Sequence, residues 1–270
     1  MSNFPSTPQC APPLPLAGEG WGEGRLAKPE AGEANSEPYR IAPMNLLAIE
    51  TATESCSAAL LVGDRIFERS EIAPRRHAEL LLPMCDEILA EAGLRRRDLK
   101  AVAVGRGPGA FTGVRLAISA AQGIALALDI PVIPVSSLAA LAMQAPDNGA
   151  DVLAVIDARM GEIYAGTFRR ADGVMESIGD ERVVTAASLH LPPANAWNVI
   201  GTGWMSYRDA ISAVMSSQPL WAEGERYPQA ADIARLAAPI AAAGGGVAAD
   251  LALPVYLRDK VALTIAEQRR

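Results

Sequence analysis

Gly105-Arg106-Gly107-Pro108-Gly109-Ala110-Phe111-Thr112-Gly113-Val114-Arg115 is the stretch on which the reading of this chain turns. It follows an apolar run, Ala101-Val102-Ala103-Val104, and leads into a helix-like run that ends near Asp129. Strand, glycine turn and helix in that order make a site where backbone N–H groups and a helix N-terminus can hold an anion. The same glycines also suit a tight turn packed against a neighbouring segment. No Gly-Lys-Ser/Thr follows, so the lysine of a phosphate-binding P-loop is missing. Thr112 is expected to cap the helix over 112–128.

Working outward, the same unit occurs twice. The first copy reads Leu46–Glu50 as a strand, Ser55–Val62 and Arg65–Ile72 as a meander around Gly63-Asp64, and His77–Ala92 as a helix. Pro83 is expected to kink that helix or delay its start. Ala101–Val104, the helix, Pro131–Val135 as a strand and Ser136–Gln144 as a helix complete it. The second copy starts with Val152-Leu153-Ala154-Val155-Ile156-Asp157, again an apolar strand ending in an acid. Glu162–Arg169, the turn Ala171-Asp172-Gly173 and Val174–Ile178 repeat the meander. Trp197–Ile200 then leads to Gly201-Thr202-Gly203, followed by helices over Ser206–Met215 and Ala230–Ala243. The predicted fold is α/β, with duplicated βββαβα subdomains of the actin-like (ASKHA) kind and a cleft between them. The expected divisions are 44–150 and 151–270.

Residues 1–43 stand apart. They hold eight of the 20 prolines and little periodic apolar pattern, so they predict no core. They are read as a disordered tail or a miscalled extension, with Met44 as the expected start.

Composition narrows the function. A net charge of −7 and a pI near 5 argue against a chain that grips nucleic acid unaided. Cys10, Cys56 and Cys85 form no CxxC pair and suit a reducing cytosol. His77 and His190 are too far apart to seed a zinc cluster. Cys56 reads as a small buried residue. No apolar run approaches the ~18 residues of a membrane span.

The motifs carry a resemblance. Leu47-Ala48-Ile49-Glu50-Thr51-Ala52-Thr53-Glu54-Ser55-Cys56-Ser57, the block from Gly105 through Ser136-Ser137-Leu138, Asp157-Ala158-Arg159-Met160-Gly161-Glu162, and Pro254-Val255-Tyr256-Leu257-Arg258 occur in the order found in the bacterial TsaB (YeaZ) family. The likeness runs from Met44 to about Ala262. It implies a part in making N6-threonylcarbamoyladenosine at position 37 of ANN-decoding tRNAs. It further implies a non-catalytic, structural and activating subunit that pairs with the TsaD transferase, recruits the TsaE ATPase, and homodimerises when alone. ATP or ADP and metal would belong to the partners, with no cofactor required here. tRNA would be met mainly through the complex, and no membrane would be involved.

The site residues follow from both lines. Glu50, Thr51, Gly107, Gly109, Thr112, Gly113 and Asp157 are candidates for a vestigial nucleotide or anion loop. In an actin-like ATPase, acids such as Glu50 and Asp157 face the cleft and hold magnesium through water. Alternatively they satisfy nearby backbone groups. TsaD-like chains carry two histidines one helical turn apart; here the position one turn after His77 is Leu81. In the family the first two helices form the shared surface, so His77, Leu80, Leu81, Met84, Ile88, Val114, Ala117 and Ala121 are the expected partner face, with Arg75, Arg76 and Glu79 toward its rim. The competing reading of those apolar residues is ordinary core packing. Two rivals to a partner subunit remain: a self-sufficient actin-like ATPase or kinase, and a TsaD-like metal-dependent transferase.

Overall fold

The computed structural model describes residues 44–258. The expectation about residues 1–43 lies outside the described residues. Burial on both faces sets the architecture. In the first strand, β1 (Asn45–Glu50), every residue is buried, so both faces of the strand are covered. Leu46 and Ala48 point into one apolar cluster, Leu47 and Ile49 into another. β1 pairs antiparallel with β2 (Ser55–Val62), which pairs with β3 (Arg65–Ile72). On its other side β1 pairs parallel with β4 (Ala101–Gly105), and β4 with β5 (Val132–Val135). The sheet order is therefore β3-β2-β1-β4-β5.

The second sheet repeats this. β6 (Asp151–Arg159) is its centre, flanked by the antiparallel β7 (Glu162–Ala171) and β8 (Val174–Ser177). A short β9 (Arg182–Thr185) also pairs with β7. β10 (Trp197–Ile200) runs parallel to β6, and β11 (Trp221–Glu223) parallel to β10. The order β8-β7-β6-β10-β11 reproduces the first sheet strand for strand. The duplicated actin-like arrangement read from the sequence is thus the observed one.

Helices cover the sheets in layers. α1 (His77–Glu91) and α2 (Phe111–Leu128) pack on the outer face of the first sheet. α4 (Thr202–Val214) packs against the outer face of the second. Between the sheets lie α3 (Ser137–Ala142) and α5 (Ala230–Ala242). Each closes one repeat, yet α3 packs on the second sheet and α5 on the first. Their alanines (Ala139, Ala140, Ala142, Ala231, Ala234, Ala237) join residues of both sheets in a single apolar cluster. Small side chains let helix and sheet backbones approach closely, and the larger Leu138, Leu141 and Ile233 supply the burial, each worth about 1.5–3 kcal/mol. All of these elements belong to one compact unit.

Two local expectations are corrected. α2 starts at Phe111 with Ala110 as its N-cap, and no side chain caps it. Thr112 is already inside the first turn, because the backbone leaves the extended region two residues earlier than the capping pattern suggests. α1 runs through Pro83 from His77, so the proline does not delay its start.

One buried acid makes stability depend on pH. Asp232, in the first turn of α5, is buried beside Glu68 of β3 and takes a 2.6 Å hydrogen bond from Arg235. Burial raises its carboxyl to about 6, against the opposing pull of Arg235. A carboxyl raised by folding binds its proton more tightly in the native state. Its contribution is therefore full below the unfolded value of 3.8 and is lost as pH climbs through about 6. Denaturant unfolding of Asp232→Asn against the parent should show the variant gaining about 2 kcal/mol in relative stability between pH 4 and pH 7. A difference that stays constant with pH would contradict this.

Candidate functional site

The C-terminal ends of β1 and β6 face a cavity of about 380 Å³ between the two lobes. The turn after β1 (Ala52, Thr53, Glu54), the glycine turn before α2 (Gly109, Ala110, Phe111) and the β6–β7 hairpin (Asp157, Arg159) wall it. This is where an actin-like chain would place its chemistry, and the geometry of each candidate residue can be followed in turn.

Glu50 does not reach the cavity. Its side chain is fully buried. One carboxyl oxygen accepts the Ala52 N–H at 2.5 Å, and the other accepts the Ser137 hydroxyl at 2.6 Å. Burial pushes its pKa up, opposed by the bonds from Ser137, Ala52 and Thr51. Gly105 faces this carboxyl so closely that any Cβ there would overlap it. A glycine is needed at that position because the acid fills the space.

The glycine turn is packed in the same way. A Cβ on Gly109 would overlap the Ala52 carbonyl, and one on Gly113 would overlap that of Thr51. Gly107 holds φ at +87°, a left-handed conformation open to glycine. The backbone groups are engaged: Ala110 N–H donates to Ala52 at 2.7 Å, Arg106 N–H to Val135 at 2.8 Å, and the Gly107 carbonyl accepts from Ser137 N–H at 3.0 Å. The hydroxyl of Thr51 donates to the Gly113 carbonyl at 2.7 Å. The structure thus brings Glu50, Thr51, Gly109 and Gly113 together as a joint between β1, α2 and α3. Thr112 lies apart on the exposed first turn of α2.

Asp157 sits across the cavity on the other lobe and differs from Glu50. It remains partly accessible and accepts from Arg159 N–H at 2.8 Å and Ser206 Oγ at 3.3 Å. Arg159 reaches over to Glu54 at 2.7 Å, an exposed pair across the mouth between the lobes. His77 begins α1 on the cavity wall, its Nε2 2.9 Å from the Thr53 carbonyl. A carbonyl only accepts, so that nitrogen is the protonated one. His190 lies on the second lobe with Nδ1 against the Ser188 carbonyl. Among the described residues no three His, Cys, Asp or Glu side chains are grouped to hold a metal. Burial pushes the Cys56 thiol to about 11 and that of Cys85 to about 12, which leaves both as neutral packing residues.

The expected partner-face list requires correction. Leu81, Met84, Ile88, Val114, Ala117 and Ala121 are buried within the cluster beneath α1 and α2. They anchor the helices to the sheet and leave His77 and Leu80 only half-exposed. The outward faces carry other residues. Leu82 on α1 is 52% exposed, and Leu126 on α2 is 77% exposed. Phe111, Ser119, Gly123 and Ala127 lie along the same open side of α2, which carries no charged residue between Arg115 and Asp129. α2 is also the one described helix long and apolar enough to cross a membrane; it packs on β4 and β1 and touches α1.

Sequence reasoning missed Ser137, which completes the Glu50 joint from 87 residues away. It also missed the environment of Tyr256, whose hydroxyl accepts from Arg115 Nε at 2.6 Å while that guanidinium lies 3.4 Å over the Phe111 ring. Their only sequence signal was membership of quoted motifs.

A duplicated actin-like chain is what these lobes and their shared cavity define, and the comparisons narrow the class. The family model described as "TsaD: tRNA N6-adenosine threonylcarbamoyltransferase" matches residues 66–262. The tRNA threonylcarbamoyladenosine biosynthesis protein TsaB of Escherichia coli K12 is 41% identical over 81% of this chain and 96% of its own length. The Haemophilus influenzae TsaB is 42% identical over 61% of this chain and 74% of its own. The solved structure of YeaZ from Pseudomonas aeruginosa superposes with a TM-score of 0.74 at 44% identity, covering 79% of this chain and all of that one. The chain belongs to the TsaB (YeaZ) family, and with it to tRNA threonylcarbamoyladenosine biosynthesis.

The packing of the glycine turn is open to test. Gly113→Ala must push against the Thr51 backbone, which has no flexible end to yield. It should cost about 3 kcal/mol in chemical denaturation. A loss below about 0.5 kcal/mol would mean that the turn is loose enough to reshape around a ligand.

Proposed function

We propose that this chain is the non-catalytic, structural and activating subunit of a tRNA threonylcarbamoyl transferase complex. In this reading it pairs one to one with a TsaD-like transferase, homodimerises when alone, and helps to seat a TsaE-like ATPase. It acts in the cytoplasm and meets tRNA mainly through the complex. Nucleotide and metal are supplied by the partners.

The observation that carries this reading is the open side of α2. A helix of 18 residues that shows solvent Phe111, Gly123, Leu126 and Ala127, with no charge between Arg115 and Asp129, is an unusual surface for a monomer. Gly123 has open space above it, so a second helix could approach its backbone closely. Leu82 of the neighbouring α1 adds apolar area, and Glu79, Asp86 and Glu87 form a charged border. The cleft supports the same reading from the other side. Glu50 is occupied by Ala52 and Ser137, and Asp157 by Arg159 and Ser206. Neither acid is poised as an unengaged metal-holding carboxylate. Membership of the TsaB family makes a TsaD-like protein the natural partner.

Two substitutions separate face from core. Leu126→Asp should leave circular dichroism and melting unchanged while weakening association with the host's TsaD-like protein at least tenfold, as read by calorimetric titration; a central apolar contact is typically worth more than about 1.4 kcal/mol. Leu81→Asp should instead unfold the domain, since that side chain is buried under α1. A Leu126→Asp protein that binds the partner as well as the parent does would overturn the proposed face.

A further inference from the structure

The last described residues, 252–258, run from the first lobe to the second along the cavity. Their fastening begins on the first lobe. Gln122 Nε2 of α2 donates to the Ala252 carbonyl at 3.1 Å, and Val255 N–H donates to the Arg106 carbonyl at 2.9 Å. The Tyr256 hydroxyl then accepts from Arg115 Nε at 2.6 Å, with the Tyr256 and Phe111 rings 5.9 Å apart and the Arg115 guanidinium against both. Two residues later the segment is fastened to the other lobe. The Arg258 guanidinium donates to the Ala158 carbonyl at 3.1 Å and pairs with Glu162, both in the β6–β7 hairpin. Residues 255–258 form one wall of the inter-lobe cavity.

We propose that residues 252–258 act as a latch that holds the cleft closed, hooked to the first lobe by Tyr256 and to the second by Arg258. The inference does not depend on the partner reading. Two other ion pairs between the lobes are weaker by geometry, although Glu181 also takes a hydrogen bond from the Ser136 hydroxyl. Arg159 is largely exposed, so its pair with Glu54 is screened by salt, and Arg106 stands 3.9 Å from Glu181. Arg258 differs, because its side chain is mostly buried and it grips a backbone carbonyl as well as a carboxylate. Away from the mouth, the α3–α5 layer joins the sheets through a continuous apolar core. That layer can serve as the hinge while the latch sets the opening. Undoing the latch would widen the mouth of the cavity without breaking either lobe's core.

Amide hydrogen exchange on the full chain tests this, comparing the parent with Arg258→Ala and Tyr256→Phe. The latch predicts that Arg258→Ala speeds exchange about tenfold in the cavity walls of both lobes, around 52–54, 109–111 and 157–159, while β1 and residues 151–156 of β6 keep the parent's protection. Tyr256→Phe keeps the ring but loses the acceptor for Arg115, and should speed exchange at the same three walls by a smaller factor. Faster exchange confined to 252–258, or none, would overturn the proposal and leave the segment a passive edge. An Arg258→Ala chain that fails to fold would overturn it too, since a latch laid over finished lobes can be undone without unfolding them.

Discussion

The buried carboxyl of Glu50 is the contact on which the rest of this structure depends. It ends β1, turns the chain through the Ala52 N–H, and receives Ser137 at the first turn of α3. Gly105 must lack a side chain to make room for it, and the glycine turn that follows lies against the Thr51 and Ala52 carbonyls for the same reason. Burying a carboxyl is costly, and here burial outweighs the three hydrogen bonds in setting the direction of its pKa. The cost is offset because one side chain fixes three segments at once: the first strand, the glycine turn and the helix that carries the chain toward the second sheet. A residue type expected to face a ligand has become a structural joint.

The second lobe shows the alternative outcome of the same design. Its strands follow the first lobe's order, and Asp157 stands toward the end of the central strand as Glu50 does. Yet Asp157 stays at the cavity edge, held by Arg159 and Ser206. The turn after β10 also differs. Gly201 takes a φ of +111° and α4 begins at once with Thr202, whose hydroxyl accepts the Asp157 N–H. Two copies of one topology thus share a cavity in which one acid is sealed and the other is paired with Arg159 and bonded by Ser206.

Much of this was legible in the sequence, and the failures have physical causes. β2, β3 and β10 have the bounds that their alternation and turns predicted, and the repeated acid-tipped strand revealed the duplication. β9 and β11 were not read, since strands of four and three residues carry too little periodicity to register. The α4 start was placed four residues late because Gly201 and Gly203 resemble a loop, although Gly203 lies in the helix against Val155 and Ile163. The outward side of α1 and α2 was misassigned for a related reason. In alanine-rich helices both faces look apolar, and only the sheet beneath decides which leucine is covered. Leu81 and Leu82 are neighbours in sequence and opposites in burial. The Glu50 joint was legible only in part: the acid and the glycines could be singled out, but Ser137 meets them through tertiary structure alone.

If Glu50 is a joint, the isolated chain should have no use for a nucleotide. Calorimetric titration of the magnesium–ATP complex into the full chain, alone, measures this directly. The account predicts no saturable binding up to millimolar nucleotide. Saturable binding at lower concentrations that Glu50→Gln abolishes, in a variant that remains folded, would contradict it and return the cleft to service as an active site.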